Sequence, residues 1–191
     1  KLMKCVELLL KAGEIQWQGS LRATYNKCLH PDVLDYKNPQ MWEDMQNGKI
    51  ANLFQFETQV GAVCIKRTRP TSVVELGAAN AVMRLMGEDG EERPLDRYVR
   101  FRNNINEWYK EMNEAGLTPE EQQVLKEELL SKYGNSVEQE DMMRLVQRPE
   151  IANFTLGEAN LLRKAVAKKD AKKIEKMKKR FFEAIDKEES E

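Results

Sequence analysis

TLGEANLLRKAVAKKDAKKIEKMKKRFFEAI, residues 155–185, opens with a threonine followed three positions later by a glutamate. Thr155 and Glu158 make a capping box, in which each side chain satisfies the other's backbone amide at a helix start. Behind it Leu162, Val166, Ile174, Met177, Phe181 and Ile185 fall on one helical stripe, and the remaining faces are nearly all lysine. The pattern predicts one long amphipathic helix that buries a narrow stripe and leaves its charge outside.

Between Leu161 and Arg180 stand ten Lys or Arg against two acids, Asp170 and Glu175. Lys164, Lys168 and Lys172 recur at i,i+4, as do Lys169 and Lys173, so like charges sit side by side at a cost of about 0.2–0.5 kcal/mol per pair. A nearby anion removes that cost. Phosphate is the natural one, because several Lys and Arg on one face contact a nucleic-acid backbone or a triphosphate and release counterions. On charge alone, a solvated surface helix using lysine for solubility accounts for the same pattern.

The rest of the chain is also punctuated into helices. Lys1–Lys11 puts Leu2, Val6, Leu9 and Leu10 on one stripe, with Gly13 as its stop. Trp17–Asn38 has little periodicity and reads as loop with one short helical turn. Asn38 and Pro39 open a short helix through Met41, Trp42 and Met45 to Gly48. Ile50–Phe56 reads as the one short extended segment, and Gly61–Thr68 returns to helix. Ser72 and Glu75 form a second capping box, leading to Arg84 and an acidic turn at Gly87–Glu92. From Pro94, the residues Leu95, Tyr98, Arg102, Ile105, Trp108 and Met112 keep helical spacing as far as Gly116. Thr118, Pro119 and Glu121 start another helix, and Val137–Gln147 is a short one ended by Pro149. The fold class is therefore mainly α, a multi-helix assembly with little or no β.

At 191 residues, with no apolar run of about 18 positions and no secretory layout, the chain reads as a cytoplasmic protein that contacts no membrane. It begins on a helix without a leading methionine, the expectation for a piece of a longer protein. Three cysteines at irregular spacing, Cys5, Cys28 and Cys64, read as free and mostly buried thiols. Cys28 with His30 would be half a zinc site, but His30 is the only histidine and no second pair follows. The near balance of 31 basic and 32 acidic residues hides two poles, a basic one at 161–180 and a glutamate-rich one at 107–128. Trp108 and Tyr109 suit a stacking platform by type and a core by spacing, and the nine methionines read as core filler.

Four segments in one order carry a resemblance. LGEANLLRKAVAKK (156–169) resembles the Leu-Gly-Glu-Ala cap followed by Leu-Leu-Arg-Arg-Ala-Met-Gly-Lys-Lys of the alpha subunit of bacterial DNA polymerase III, the C-family replicative polymerase. NLFQFET (52–58) is similar to the family's Gly-Val/Ile-Phe-Gln-Leu/Phe-Glu-Ser. KRTRPTS (66–72) and NAVMR (80–84) match its Lys-Arg-Leu-Lys-Pro-Thr-Ser and Asn-Ala-Leu-Tyr-Arg. KYGNSVEQEDMM (132–143) resembles its Tyr-Gly-Val-x-x-Tyr-Gln-Glu-Gln-Val-Met. The departures are Leu85-Met86-Gly87 for Pro-Gly-Pro, Glu138 for Tyr, Asp141 for the second Gln, Lys164 for the second Arg, and Val166-Ala167 for Met-Gly. They mark a divergent, phage-like relative.

The resemblance implies a fingers region: residues 1–38 a C-terminal remnant of the palm with its connecting loop, 39–187 the helical fingers, and 188–191 a frayed tail. It implies part of a DNA-directed DNA polymerase whose partners are primer–template DNA, the incoming dNTP, and the palm and thumb. The full polymerase uses two magnesium ions on palm aspartates. None of those aspartates is expected here, so no residue is named as catalytic or metal-binding, the fragment itself needs no cofactor, and alone it should be inactive. Glu138, Glu140 and Asp141 read as helix-surface acids. For the triphosphate the resemblance points to Arg84 and Arg163, with Lys164 and Lys168, since a guanidinium donates a planar pair of hydrogen bonds and stays charged. For DNA it points to Lys66, Arg67, Arg69, Gln139, Lys169, Lys172 and Lys173. A non-enzymatic helical module that binds nucleic acid or protein through the lysine helix stands as the alternative. A third possibility is a regulatory helical domain with charged poles, in which Arg84 simply pairs with the acids that follow it.

Overall fold

The computed structural model describes residues 1–85, 87 and 90–188, with side chains placed through Ala184. Among the described residues there are eleven α-helices and no strand, and they divide into two compact units, Lys1–Met41 and Trp42–Glu191.

In the first unit α1 (Leu2–Lys11) contacts α2 (Leu21–Cys28), which is followed by a 3₁₀ turn at Pro31–Val33. Here the sequence reading is corrected: the stretch read as loop holds a full two-turn helix. Ser20 caps it by accepting from the Ala23 amide, and the residue it buries is Thr24, whose hydroxyl accepts from the Gln18 amide and donates to the Ser20 carbonyl. A polar residue facing inward carries no apolar periodicity, so the helix was invisible to a stripe count. Gly13 ends α1 at φ 74° as expected. Cys5, by contrast, is exposed, Cys28 half-buried and only Cys64 buried.

The second unit begins within α3 (Pro39–Gln46), where Trp42 is buried. Ile50–Phe56 is not extended. Two successive turns, closed by the Leu53 amide on Ile50 and the Phe56 amide on Leu53, place Asn52 and Gln55 at positive φ. This folding tucks both Ile50 and Phe56 into one core with Cys64, Ile65 and Ala79, which a straight strand seven residues long would separate by roughly 20 Å. The Phe56 backbone lies directly on Gly61 of α4 (Gln59–Thr68), where any Cβ would come within 2.4 Å of it.

Ser72 caps α5 (Val73–Val82) by accepting from the Glu75 amide, but the expected box is only half made. The Glu75 carboxylate turns instead to the Thr71 amide and hydroxyl, the Tyr133 hydroxyl and the Arg102 guanidinium. Burial pushes the Glu75 carboxyl up, yet the Tyr133 and Thr71 hydrogen bonds and the Arg102 charge outweigh it, and the net shift is downward. A carboxyl depressed on folding adds stability above its unfolded value of about 4.3, and that stability is lost as pH falls through the folded value. The urea midpoint is therefore expected to fall steeply below about pH 4, with a shallower acid limb in Glu75→Gln.

The helix read from Pro94 to Gly116 is two, α6 (Pro94–Asn103) and α7 (Ile105–Glu114). Asn104 ends one and caps the other, its side chain accepting from the Asn106 amide. The bend brings Phe101 and Trp108 into a single core with Met112 and Leu129, so Trp108 is core. Tyr109 stands under the Lys126 ammonium at 5.0 Å. The Thr118–Glu121 box forms as read and opens α8 (Pro119–Leu129); a 3₁₀ turn at Leu130–Lys132 then leads to α9 (Gln139–Gln147).

The long basic helix is also two, α10 (Leu156–Ala167) and α11 (Ala171–Glu188). Lys169 at φ 51° breaks it, and Asp170 starts the second half by accepting from the Lys173 amide. The chain doubles back there, so that Arg180 meets Glu158 at 3.0 Å and Phe181 lies edge-on to Phe154. Val166 is 45% exposed rather than on a buried stripe. The Lys168–Lys172 and Lys169–Lys173 spacings cross the break and are not helical neighbours. The Ile185 side chain, Met86 and the acids Glu88 and Asp89 of the expected turn, and tail residues 189–191 lie outside the described residues.

Candidate nucleotide and nucleic-acid interface

The acidic pole dissolves into ion pairs. Arg100 binds Glu92, Glu107 and Glu111, Arg97 binds Glu111, and Arg148 binds Glu127 and Glu150. With Arg67, Arg93, Arg144 and Arg180, every one of these arginines has a carboxylate within 3.2 Å. Their positive charge is spent within the chain.

Arg163, on the half-buried side of α10, is held differently. Its Nε and Nη2 donate to Asn160 Oδ1 at 3.1 and 2.9 Å, and its Nη1 donates to Gln139 Oε1 at 3.0 Å. Both acceptors are neutral amide oxygens. The guanidinium is oriented without being neutralised, and each terminal nitrogen keeps a further N–H for another acceptor. Two residues singled out in the sequence, Gln139 and Arg163, are thus brought into contact across 24 positions. Asn160, three residues before Arg163, was missed; its only sequence signal was the i,i+3 spacing that places both on one face.

Gln139 is the first residue of α9, and what seats that helix start was misread. Glu138, Glu140 and Asp141 were expected on the surface, but Asp141 is fully buried and Glu138 half-buried. Asp141 Oδ2 accepts from the Val137 and Glu138 amides at 3.1 and 2.9 Å. Its Oδ1 accepts from Lys132 Nζ and Arg144 Nη2, each at 2.5 Å, and Lys132, itself 6% exposed, also donates to Glu138. Asp141 supports a helix start three residues before it, where a capping-box acid stands. Lys132 had no sequence signal, because lysine is almost always exposed.

Lys164 and Lys168 are exposed on α10 and at its end, and Lys169 and Lys172 are exposed at the break and the start of α11. Lys173 pairs with Asp170 at 3.1 Å. Lys66, Arg67 and Arg69 gather at the C-terminal end of α4, but Arg67 is bound to Asp96 at 2.6 Å. That bond chiefly holds the Asp96 carboxyl below its ordinary range. Arg69 sits at φ 44°, and its carbonyl accepts from Arg102. Arg84 is exposed past the end of α5 and meets no carboxylate among the described residues. The structure gives no contact that joins Arg84 or the 66–69 cluster to Arg163. Among the described residues no group of three or more His, Cys, Asp or Glu is placed to hold a metal. Among the described residues no helix is long and apolar enough to cross a membrane.

Fold and site together define a helical module that keeps one oriented, uncompensated arginine beside a run of exposed lysines. Residues 15–189 match the model of the bacterial DNA polymerase III alpha subunit finger domain, and the chain belongs to that family. It is 42% identical over 182 residues to the probable DNA polymerase YorL of Bacillus subtilis and equally to a DNA-directed DNA polymerase of Bacillus phage SPbeta. It is also 31% identical over 156 residues to the DNA polymerase III subunit alpha of Treponema pallidum. These matches cover 95% of this chain for the first two and 82% for the third. The chain spans only 14% of the length of the first two relatives and 12% of the third.

Proposed function

We propose that this chain is the fingers region of a replicative DNA polymerase, where it takes the triphosphate of the incoming dNTP and the backbone of the primer–template during DNA synthesis. One observation carries the triphosphate assignment: among the described residues of a chain of the fingers family, the Arg163 guanidinium is oriented by neutral amide oxygens with no carboxylate beside it, whereas Arg102, which also donates to a neutral oxygen, has the Glu75 carboxylate at 3.7 Å. Its free N–H groups suit phosphate oxygens, and the missing counter-charge is what a triphosphate supplies. Lys164 and Lys168 add charge on the same helix, and Arg84 is a separate candidate for the same ligand. Lys169, Lys172 and Lys173 line the break that follows and suit a DNA backbone, as do Lys66, Arg67 and Arg69 at the end of α4. Gln139 has its amide nitrogen left to orient a base edge. Palm aspartates outside this chain would hold the magnesium that activates the primer hydroxyl; residues 1–38 form the remnant that joins fingers to palm, and palm and thumb are the fingers' neighbours in a cytoplasmic enzyme.

Fluorescence anisotropy of a labelled primer–template, titrated with the chain across salt, tests this reading. Binding is expected to weaken steeply with salt and by about tenfold in Lys168→Ala/Lys169→Ala. Arg163→Ala is expected to abolish any further tightening by dNTP. With magnesium present the chain alone should extend no primer. Salt-sensitive binding that is indifferent to both Arg163 and nucleotide would favour the other reading, a lysine-helix module without a role in synthesis, for which the exposure of Lys168, Lys169 and Lys172 speaks.

A further inference from the structure

We infer that the buried Lys132–Asp141 pair is a positioning device: it fixes the first turn of α9 so that Gln139 meets Arg163 in the orientation that receives the triphosphate. The inference rests on the reading of Arg163 given above.

The geometry is continuous from core to surface. Asp141 has no exposed surface, and its two oxygens divide their work. Oδ2 accepts the two backbone amides just before α9, and Oδ1 accepts Lys132 and Arg144. Lys132 comes from the 3₁₀ turn before the loop, so one ammonium ties that turn to the helix start through both Asp141 and Glu138. Gln139 is bracketed by the residues so held. Its Oε1 is the sole cross-helix acceptor of the Arg163 guanidinium among the described residues, and Asn160 supplies the rest from α10 itself.

Charge makes the device specific. A buried ion pair adds little net stability but penalises any arrangement that separates its members. The Glu138 and Asp141 carboxylates both converge on Lys132. The seat of the helix start is thus ionic, while the Arg163 acceptors are uncharged.

A mutant cycle in the full-length polymerase carrying this segment decides the matter. Asp141→Asn, Gln139→Ala, their double variant and Arg163→Ala are compared for KM of dNTP, kcat and melting temperature. Asp141→Asn is expected to raise KM by about tenfold with kcat changed far less, and to add nothing once Gln139 is alanine. A raised KM in Arg163→Ala beside an unchanged KM in Asp141→Asn overturns the positioning role, whatever the melting temperature does. Full additivity in the double variant also overturns it, because the pair would then act by a route other than Gln139. An unchanged KM in Arg163→Ala overturns the nucleotide reading itself, and with it the purpose assigned to the device. Glu138→Gln removes one charge while keeping the cap acceptor; it is judged by the same criteria should Asp141→Asn fail to fold.

Discussion

Gly134→Ala is expected to destabilise the second unit by about 2–5 kcal/mol, the sum of roughly 1–2 for a left-handed backbone and roughly 1–3 for overpacking. Gly134 sits at φ 75°, and a Cβ there would stand 2.3 Å from Cδ2 of Trp108, whose ring is fixed in the core with Phe101, Met112 and Leu129. Neither partner has room to yield: the ring is 4% exposed, and the glycine follows Tyr133, itself at φ 54°. Gly116 provides the control, with φ 77° and nothing within 4 Å of the point where a Cβ would stand. Gly116→Ala therefore isolates the backbone cost, roughly 1–2 kcal/mol. Urea unfolding of both variants separates the two contributions, and equal losses would show that contact with the indole is not what requires glycine at 134.

The same turn explains why some of this fold was legible and some was not. Caps decided within four residues formed where they were read, at Thr118–Glu121 and Thr155–Glu158. The breaks at Asn104 and Asp170 were hidden, because the apolar spacing runs on across each of them: Phe181 reads on the same broad stripe as Leu162 although the chain reverses between them. Asn and Asp are cap formers by chemistry, but a cap inside an unbroken stripe is outvoted when periodicity alone is counted. Folding back lets Phe154 and Phe181 share one core, a gain that depends on residues distant in sequence and is therefore absent from any local pattern.

The candidate site divides along the same line. Arg163 and Gln139 were legible as residue types in familiar segments, and the contact between them was not, since nothing in either segment reports the other. Lys132 and Asp141 were read oppositely to their placement. A lysine and an acid within a glutamate-rich stretch look solvated by default, and only the three-dimensional path shows that each is the reason the other can be buried. In the sequence, Glu138 and Asp141 stand out only as two separate departures from the family pattern. Taken with Lys132 they form one compensated set.

That compensation yields the second large effect. Asp141→Asn is expected to cost about 3 kcal/mol, toward the lower end of what breaking a buried ion pair costs. The asparagine oxygen can still accept the Val137 and Glu138 amides, while the Lys132 ammonium, 8% exposed at its side chain, keeps only the partly exposed Glu138. Adding Lys132→Met removes the stranded cation and fills its place with an unbranched apolar chain of similar length. The double variant is therefore expected to lie within about 1–2 kcal/mol of the parent, more stable than Asp141→Asn alone. Urea midpoints of the four proteins measure the coupling directly. A double variant as unstable as the sum of the singles would mean that Lys132 and Asp141 are held by independent contacts. A recovered double variant in which the KM of the full-length polymerase for dNTP stays raised would separate the two roles of the pair, because an apolar replacement restores burial without restoring the directional bonds that set Gln139 against Arg163.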